Sequence, residues 1–482
     1  MTAMRDSLKR VTDRTAPSSR RESGRKIRAP LESVWGPNQA CLRELGPSTR
    51  ILVGSAGDHP HVLELLDQAC QHPLAEDFQS RLDEPTYEPS DRLLVYRKDQ
   101  LVGHARVSKQ IGWFRRQRLP LAMFQDFFTL PEFEAAKYDE ELLKAAESTA
   151  IREGSILGLV RTTRPEWFEQ HGWGCCQGQG FSRANTMAIL SHFDAQAVSH
   201  KRRHQCRPRS IEIRNWRHFE LDSLRKIHEQ VSSNMWGSLH RSEETWRWLV
   251  GRKAQDQILI AVKKPRSRPK AAAAEPNAEL NSELNVVGYA IVRDSCIVEM
   301  LTLSGYAHVR PMLVARACRE AIDHNHHFVS LLTPANDPMH EFLVTAGGSW
   351  ISEGSALEGK WMLKLLSPIR WCERLYPLLQ QRAEQAGIAR PLEIDFACGK
   401  KRRRLRLTRR SSRLETCEGY SSPANVRCGH HTFQDIMTCN LTYHEALKQN
   451  RLQVGCDEVL SALAALFPPA LFWQSPYPLL RL

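Results

Sequence analysis

A histidine between two tryptophans is one side chain of this sequence suited to proton transfer. The segment Trp167–Trp173 reads WFEQHGW, and His171 stands three positions after Phe168. An unperturbed imidazole changes charge near neutral pH and can act as a general acid or base. Two interpretations of His171 stay open: a catalytic residue, or a histidine that is exposed or satisfied by hydrogen bonds and takes no part in catalysis.

The cysteines offer a second kind of chemistry, metal binding. The chain has 13 cysteines and no CxxC pair. One cluster contains residue types that bind zinc: the segment Cys428–His431, with Cys417 and Cys439 nearby. Its spacing matches no known zinc template. The adjacent Cys175 and Cys176 cannot readily bridge each other. We therefore predict scattered reduced thiols and no metal.

Two basic runs could meet phosphate groups. Residues 1–30 carry nine basic and three acidic residues, within a chain whose net charge is +13. Lys400–Arg413 reads KKRRRLRLTRRSSR, and its two leucines stand two positions apart, the period of a strand with one apolar face. Neither run has interleaved aromatic residues for base stacking. We expect solvated surfaces here and no nucleic-acid partner.

The length and composition limit what can position these residues. A chain of 482 residues corresponds to roughly three domains. Its 41% hydrophobic and 25% charged residues exclude a wholly disordered, collagenous or membrane-embedded chain. No stretch approaches the roughly 18 apolar residues of a membrane span, and the N-terminus lacks an apolar signal core. We expect a cytoplasmic protein with no membrane span.

An internal repeat organises the first two thirds of the chain. The first copy predicts strands at Leu93–Tyr96, Leu101–Val107 and Leu121–Leu130, a helix at Glu140–Glu153 and a strand at Ile156–Val160. The second copy predicts strands at Ile258–Val262, Val286–Val292 and Ile297–Leu303, a helix at Pro311–His324 and a strand at Phe328–Leu332. Both copies place Val-Gly at the same point of the second strand, at Gly103 and Gly288.

The pattern changes after residue 364. A helix is predicted at Pro368–Gln385, followed by strands around Leu392–Ala397 and Leu405–Leu407. Three further helical patterns lie at Thr432–Cys439, Tyr443–Lys448 and Asp457–Phe467. These elements predict an α+β unit of ordinary domain size.

Two successive units of this order resemble the GNAT acyltransferases. In that family the terminal motif reads Phe-Tyr-x-x-x-Gly-Phe, and Trp167–Trp173 is similar to it. The segment Phe433–Trp473 resembles the close of a sterol-carrier-protein fold. The resemblance implies an α/β and α+β protein, with two GNAT-like mixed-sheet units followed by a sterol-carrier-like α+β domain.

The resemblance also implies a division into domains. We expect a disordered basic tail at 1–49, a first GNAT-like domain at 50–195 and a basic linker at 196–210. A second GNAT-like domain at 211–363 would hold a disordered insertion at 264–285. A sterol-carrier-protein-like domain would follow at 364–482.

The GNAT resemblance assigns a co-substrate and site residues. It implies acetyl-CoA or another acyl-CoA as co-substrate, an amine on a small molecule or a peptide as acceptor, no metal, and a homo-oligomer. The expected acyl-CoA contacts are Phe127, Phe128, Thr129, Leu130, Lys137 and Phe168. The terminal carboxylate of Leu482 would act as base in the first unit, although a frayed terminus is an equal alternative.

Two features depart from the family pattern. The pyrophosphate loop of the family corresponds to Pro131–Asp139, where Glu134 takes the arginine position and Lys137 and Asp139 take glycine positions. Phe168 stands where the family commonly has the tyrosine that protonates the departing thiolate. Two hypotheses follow: an N-acyltransferase with unusual acyl-CoA binding, or a catalytically inactive GNAT-like scaffold or binding module.

Overall fold

The computed structural model describes residues 40–68, 75–178, 180–203, 211–263, 285–351, 359–419 and 424–481. The predicted tail therefore lies outside the described residues up to residue 39, and so does the insertion from 264 to 284. Residues 41–46, inside the segment predicted as a tail, form a strand. Residues 196–203, the first part of the predicted linker, belong to a helix.

The first sheet has nine strands and carries the N-terminal unit. Its strands are β1 Cys41–Gly46, β2 Thr49–Val53, β3 Arg92–Arg97, β4 Gln100–Phe114, β5 Gln117–Thr129, β6 Leu157–Thr162, β7 Gly174–Cys175, β10 Trp236–Leu239 and β16 Lys360–Leu365. The order is β1-β2-β3-β4-β5-β6-β16-β7, and β10 pairs with β4. The helices of this unit are α1 His59–Gln68, α2 Ala75–Leu82, α3 Tyr138–Arg152 and α4 Pro165–Gln170.

The second sheet has seven strands. They are β8 Phe181–Asn185, β9 Ile211–Asn215, β11 Gln257–Lys263, β12 Val286–Arg293, β13 Cys296–Thr302, β14 Phe328–Leu331 and β15 Ser349–Ile351. The order is β15-β8-β14-β13-β12-β11-β9. The helices are α5 Thr186–Arg203, α6 Leu221–Ser232, α7 Glu243–Gly251, α8 Arg310–Asp323 and α9 Pro338–Thr345.

The predicted repeat is confirmed by strand register. In the first copy, Gly103 of β4 lies opposite Thr129 at the end of β5. In the second copy, Gly288 of β12 lies opposite Thr302 at the end of β13. A Cβ atom at Gly103 would lie 3.1 Å from the Val95 side chain, and one at Gly288 would lie 2.6 Å from the Thr302 side chain. A side chain larger than hydrogen would clash with Thr302 at position 288 and would be tightly packed against Val95 at position 103.

The two units exchange strands, which the linear domain division does not describe. β8 comes before residue 195 but lies between β14 and β15 of the second sheet. β16 comes after residue 211 but pairs antiparallel with β6 of the first sheet, from Lys360↔Thr162 to Leu365↔Leu157. Each unit therefore completes its sheet with a strand of the other. The exact boundaries stay a prediction.

The C-terminal unit is built on a five-stranded sheet. Its strands are β17 Leu392–Cys398, β18 Lys401–Leu407, β19 Ser412–Thr416, β20 Asn425–Cys428 and β21 Leu452–Val454, in the order β19-β18-β17-β20-β21. The helices are α10 Pro368–Arg374, α11 Tyr376–Gln385, α12 His430–Met437, α13 Tyr443–Lys448 and α14 Asp457–Leu466. The one long helix predicted over 368–385 is therefore two, with a proline in the first turn of α11. The likeness to a sterol-carrier protein stays a prediction.

Tryptophans join the C-terminal unit to the first sheet. Trp236 of β10 and Trp371 of α10 are buried, and each packs its ring against Phe114 of β4. Phe472, near the end of the chain, packs edge-on against Trp236 with ring centroids 5.6 Å apart. No helix in the described part of the chain is long and apolar enough to cross a membrane.

Candidate active site

A cleft opens in the first unit where β5 diverges from β6. The two strands are parallel and pair only from Leu121↔Leu157 to Phe124↔Val160. Beyond Phe124, β5 continues to Thr129 and pairs there with β4 as its only strand partner. The resulting cleft of about 950 Å³ is lined by β5 residues 123–129 and by residues 160–164 at the end of β6. The backbone of β5 facing the cleft has no strand partner there.

A bulge in β5 shapes the floor of this cleft. His104 pairs with Phe128, whereas Arg106 pairs with Gln125, so two β5 residues lie opposite the single residue Ala105. One of the two is Asp126, whose φ of 48° lies in the left-handed region. Such a conformation is uncommon outside glycine, although aspartate tolerates it better than most residues. Asp126 lines the cleft.

A buried histidine holds the bulge in place. Arg92 Nη1 lies 2.9 Å from His104 Nε2, and because a guanidinium only donates, Nε2 accepts. His104 Nδ1 therefore carries the proton and donates to the Asp126 carbonyl oxygen at 2.9 Å. Burial, together with the Arg92 cation, lowers the pKa of His104 to about 3. His104 is thus neutral at ordinary pH and acts as a structural donor.

The Asp126 carboxyl group lies among cations. Burial acts to raise its pKa, but Arg92, Arg81 and Arg106 outweigh that effect, so the pKa is lowered from its ordinary value. Asp126 is therefore ionised at neutral pH, and its carboxylate can bind an ammonium group; the lowered pKa makes it a weaker proton acceptor than an ordinary carboxylate. We did not predict this residue from the sequence. The available signal was one acidic residue inside the apolar run LAMFQDFFTL.

The structure brings some of the predicted contact residues together. Phe127, Phe128, Thr129 and Phe168 all line the cleft. The ring centroids of Phe127 and Phe168 lie 5.8 Å apart, so α4 closes one side of the cleft against β5. Leu130 is buried and is not part of the lining.

Two other predicted residues lie away from the cleft lining. His171 Nδ1 donates to the Trp167 carbonyl oxygen at 2.8 Å, and the two rings are 4.4 Å apart. Lys137 is 72% exposed and pairs with Glu140 at 3.2 Å. Neither residue lines the cleft. This arrangement does not support a catalytic role for His171 or an acyl-CoA contact for Lys137. Both roles stay predictions.

The N-terminus of α3 already carries negative charge. Its first turn contains Asp139, Glu140 and Glu141, and Asp139 Oδ1 accepts a hydrogen bond from the Glu140 amide at 2.9 Å. Asp139 also lines the cleft. Carboxylates at a helix N-terminus satisfy the same partial positive charge that would bind a phosphate. Lys137, with φ of 54°, holds a left-handed conformation that glycine adopts freely.

The last described residues of the chain reach the cleft. Leu479, Leu480 and Arg481 line it, whereas Leu482 lies outside the described residues. Arg252 Nη2 donates to the Leu480 carbonyl oxygen at 2.7 Å and to Asp77 Oδ1 at 2.9 Å. Arg252 therefore ties the C-terminal segment to α2 beside the cleft. This contact between distant segments had no signal in the sequence.

The cleft contains charges of both signs. Its basic side chains are Arg81, Arg161, Arg164, Arg293 and Arg481. Its acidic side chains are Asp77, Asp126, Asp139 and Asp294. None of the described residues that line it is a tyrosine. Among the described residues no group of three or more histidine, cysteine, aspartate or glutamate side chains is arranged to hold a metal ion.

Solved structures match most of the chain. The GCN5-related N-acetyltransferase from Anabaena variabilis ATCC 29413 has a TM-score of 0.62 at 13% identity, over 88% of this chain and 99% of that one. The Kribbella flavida protein of the same description has a TM-score of 0.62 at 14% identity, over 88% and 97%. This chain has the fold of the GCN5-related N-acetyltransferases, the GNAT fold. Eis1 from Mycobacterium abscessus has a TM-score of 0.57 at 12% identity, over 89% and 99%.

No known family model and no curated protein matches the sequence.

In the second GNAT unit, β13 and β14 pair only at Cys296↔Ser330 and Ile297↔Leu331. Tyr477 and Leu480 of the C-terminal segment pack into the core beside β13. The same segment therefore contributes to the core of the second GNAT unit and to the cleft of the first.

Proposed function

We propose that the protein transfers an acyl group from acyl-CoA to an amine on a small molecule or a peptide. The divergence of β5 from β6 carries this proposal, because it leaves the β5 backbone from Gln125 to Thr129 without a partner on the cleft side. That backbone can hydrogen-bond the amide groups of an extended pantetheine arm. The thioester then lies beside the bulge that carries Asp126.

Each reacting group has a place in this scheme. The Asp126 carboxylate accepts a proton from the acceptor ammonium, and the freed amine nitrogen attacks the thioester carbonyl carbon. A carbon–nitrogen bond forms, the carbon–sulfur bond breaks, and the coenzyme leaves as a thiolate. Fixing both substrates in one cleft makes the transfer effectively unimolecular. The arginines of the cleft suit the anionic coenzyme, and Asp126 suits the cationic amine.

The terminal carboxylate of Leu482 is a second candidate for the base. The support for it is that Leu479, Leu480 and Arg481 line the cleft and that Arg252 holds Leu480 there. Converting the terminal carboxylate of Leu482 to an amide removes that group and keeps Arg481, so it tests this candidate separately from Asp126. If Leu482 is the base, the amidated chain loses acyl transfer while acyl-CoA affinity is kept.

A catalytically inactive GNAT-like scaffold is the second candidate function. Two observations favour it: the carboxylates at the N-terminus of α3, and a phenylalanine, Phe168, in the position of the usual tyrosine. Both would weaken acyl-CoA binding or thiolate protonation without altering the fold.

Acetyl-CoA binding and turnover separate the two functions. A ligand at 100 times its Kd stabilises a folded protein by about 2.7 kcal/mol, so acetyl-CoA will raise the melting temperature if the cleft binds it. Release of free coenzyme thiol in the presence of a panel of amines then measures transfer. Absence of both signals with millimolar acetyl-CoA and with longer acyl-CoAs would contradict acyl transfer and favour the scaffold function.

The acidic N-terminus of α3 limits acyl-CoA affinity, and we expect the variant Lys137→Gly/Asp139→Gly to bind acetyl-CoA at least about tenfold more tightly, on the order of 1.4 kcal/mol. Glycine relieves the left-handed conformation at 137 and removes a carboxylate from the cleft at 139. Glycine in the first turn of α3 costs roughly 1 kcal/mol of stability. Isothermal titration measures the affinity.

A matched control exists in the β3–β4 turn. Lys98 also has a positive φ, of 52°, and is followed by Asp99, neither of which lines the cleft. The variant Lys98→Gly/Asp99→Gly makes the same chemical change away from the site and should leave acetyl-CoA affinity unchanged. Equal affinity of the α3 variant and the parent would show that the N-terminus of α3 does not face the coenzyme.

We also propose a homo-oligomer, on the GNAT likeness alone. Trp236, Trp246 and Trp371 are buried within the chain and supply no surface for assembly. Light scattering at micromolar concentration should give a mass that is a multiple of the 55.1 kDa chain. A mass of 55.1 kDa would contradict the proposal.

A further inference from the structure

Two cysteines of the C-terminal sheet lie side by side. Cys398 ends β17 and Cys428 ends β20, and the two residues are direct partners in the parallel pairing of these strands. Their side chains therefore project from the same face, and their Sγ atoms are 3.9 Å apart. Neighbouring strands are about 4.8 Å apart, which lies within the Cα separation of about 4.4–6.8 Å that a disulfide requires. A rotation of the two side chains brings the sulfurs to bonding distance.

The surroundings make one of these thiols reactive. The hydrogen bond with Cys428 lowers the pKa of Cys398, and the Arg403 cation acts in the same direction against the effect of burial. Thiolate is the nucleophilic form of cysteine. Cys398 is 7% exposed and Cys428 is partly exposed. In contrast, burial raises the pKa of Cys372 to about 12.

We propose that Cys398 and Cys428 form a redox-active dithiol that hydrogen peroxide oxidises to an intramolecular disulfide. The Cys398 thiolate attacks one peroxide oxygen, the oxygen–oxygen bond breaks, and a sulfenic acid forms as water leaves. The Cys428 sulfur then attacks the Cys398 sulfur, the sulfur–oxygen bond breaks, and a second water leaves. Two thiols lose two electrons and two protons in total, and the peroxide is reduced to water.

The disulfide would change the stability of the C-terminal unit. The two cysteines are 30 residues apart in sequence, and the closed loop contains β18 and β19. A crosslink restricts the unfolded chain, so oxidation will raise the melting temperature of this unit. This inference is independent of the proposed acyl transfer, because neither cysteine lines the cleft.

Hydrogen peroxide is the probe. After treatment of the full chain, alkylation of free thiols, digestion and mass spectrometry should find a peptide pair linked through Cys398 and Cys428 and lighter by two hydrogens. Dithiothreitol should restore both thiols and reverse the rise in melting temperature. Cys428→Ser should leave the Cys398 sulfenic acid unresolved, so that dimedone labels Cys398. Cys398→Ser should yield neither the crosslink nor strong labelling at Cys428.

Cys372→Ser is the control, because Cys372 is a buried cysteine of the same unit that has no role in the proposal. It should form the Cys398–Cys428 crosslink as readily as the parent chain. The proposal is overturned if both thiols stay open to alkylation under conditions that oxidise the exposed Cys41 and Cys456. It is equally overturned if the crosslink joins other cysteines. The mapping of crosslinks in the unaltered chain tests the proposal even if a serine variant does not fold.

Discussion

Asp126→Asn will lower kcat for acyl transfer by about 10²–10⁴-fold, the usual contribution of a general base. Asparagine keeps the shape of the side chain and, like aspartate, tolerates the left-handed φ of 48° at the bulge. The His104 hydrogen bond goes to the backbone carbonyl of residue 126, so the substitution leaves it intact. The substitution removes the proton acceptor and also the negative charge that lies among Arg92, Arg81 and Arg106. Loss of a negative charge does not weaken binding of an anionic coenzyme, so acetyl-CoA affinity should not fall below that of the parent.

Asp294→Asn is the matched control for this prediction. Asp294 also lines the cleft and also has a φ of 48°, but its side chain is 78% exposed in the β12–β13 turn. We expect it to keep the parent kcat. A full kcat in Asp126→Asn would assign the base to another group, and amidation of the Leu482 carboxylate would then show whether that group is the chain terminus.

Arg241→Met will lower the free energy of unfolding by about 3–5 kcal/mol, the usual cost of removing one partner of a buried ion pair. Arg241 Nη1 and Nη2 donate to the two Glu299 oxygens at 3.0 and 2.6 Å, and both side chains are almost completely buried. Tyr289 donates a further hydrogen bond to Glu299 Oε1 at 2.6 Å. Loss of the guanidinium leaves the Glu299 carboxylate buried without its counter-charge.

The loss should depend on pH. Burial raises the pKa of Glu299, but Arg241 and His228 outweigh it and lower the pKa to about 2, below the ordinary value of 4.5. The folded parent therefore binds this proton less tightly than the unfolded chain does. The resulting stability is fully present above about pH 4.5 and is lost as the pH falls towards 2. In Arg241→Met burial raises the pKa of Glu299 without the opposing Arg241 cation, so the difference between the two proteins should begin to shrink above pH 4.5 and continue to shrink towards pH 2.

Urea denaturation at several pH values measures the loss of unfolding free energy. Two further variants show whether the buried charge causes it. Arg241→Met/Glu299→Leu removes both charges and should recover most of the loss, because no buried charge remains. Arg118→Met breaks the exposed pair with Glu229, whose atoms lie 2.8 Å apart, and should cost less than about 1 kcal/mol. Equal losses in Arg241→Met and Arg118→Met would contradict a special role for the buried pair.

Much of the local structure was predictable because it depends on short-range patterns. The period of apolar residues located the repeated strands and helices, and the glycines at 103 and 288 fall at equivalent registers. The GNAT likeness also placed Phe127, Phe128 and Thr129 beside Phe168. These residues lie on β5 and α4 of one unit, about 40 residues apart, and the family motif that Trp167–Trp173 resembles sets where they meet.

Other features of the protein depend on contacts between segments that are distant in the sequence. Alternation in a strand shows which side chains share a face, but it does not show which strand is its neighbour. The exchange of β8 and β16 between the sheets therefore had no sequence signal, and neither did the pairing of Cys398 with Cys428. The expectation of scattered thiols missed this pair because 30 residues separate its members.

The sequence by itself determined the periodic elements, their repetition and the family they resemble, because each depends on residues a few positions apart. Only the tertiary structure decided that Asp126 sits on a bulge in the cleft, since the bulge arises from the register of β5 against β4. It also decided that Arg252 holds Leu480, 228 residues away in sequence, at the same cleft. Register and long-range packing are set by the free energy of the whole fold, and no local pattern encodes them.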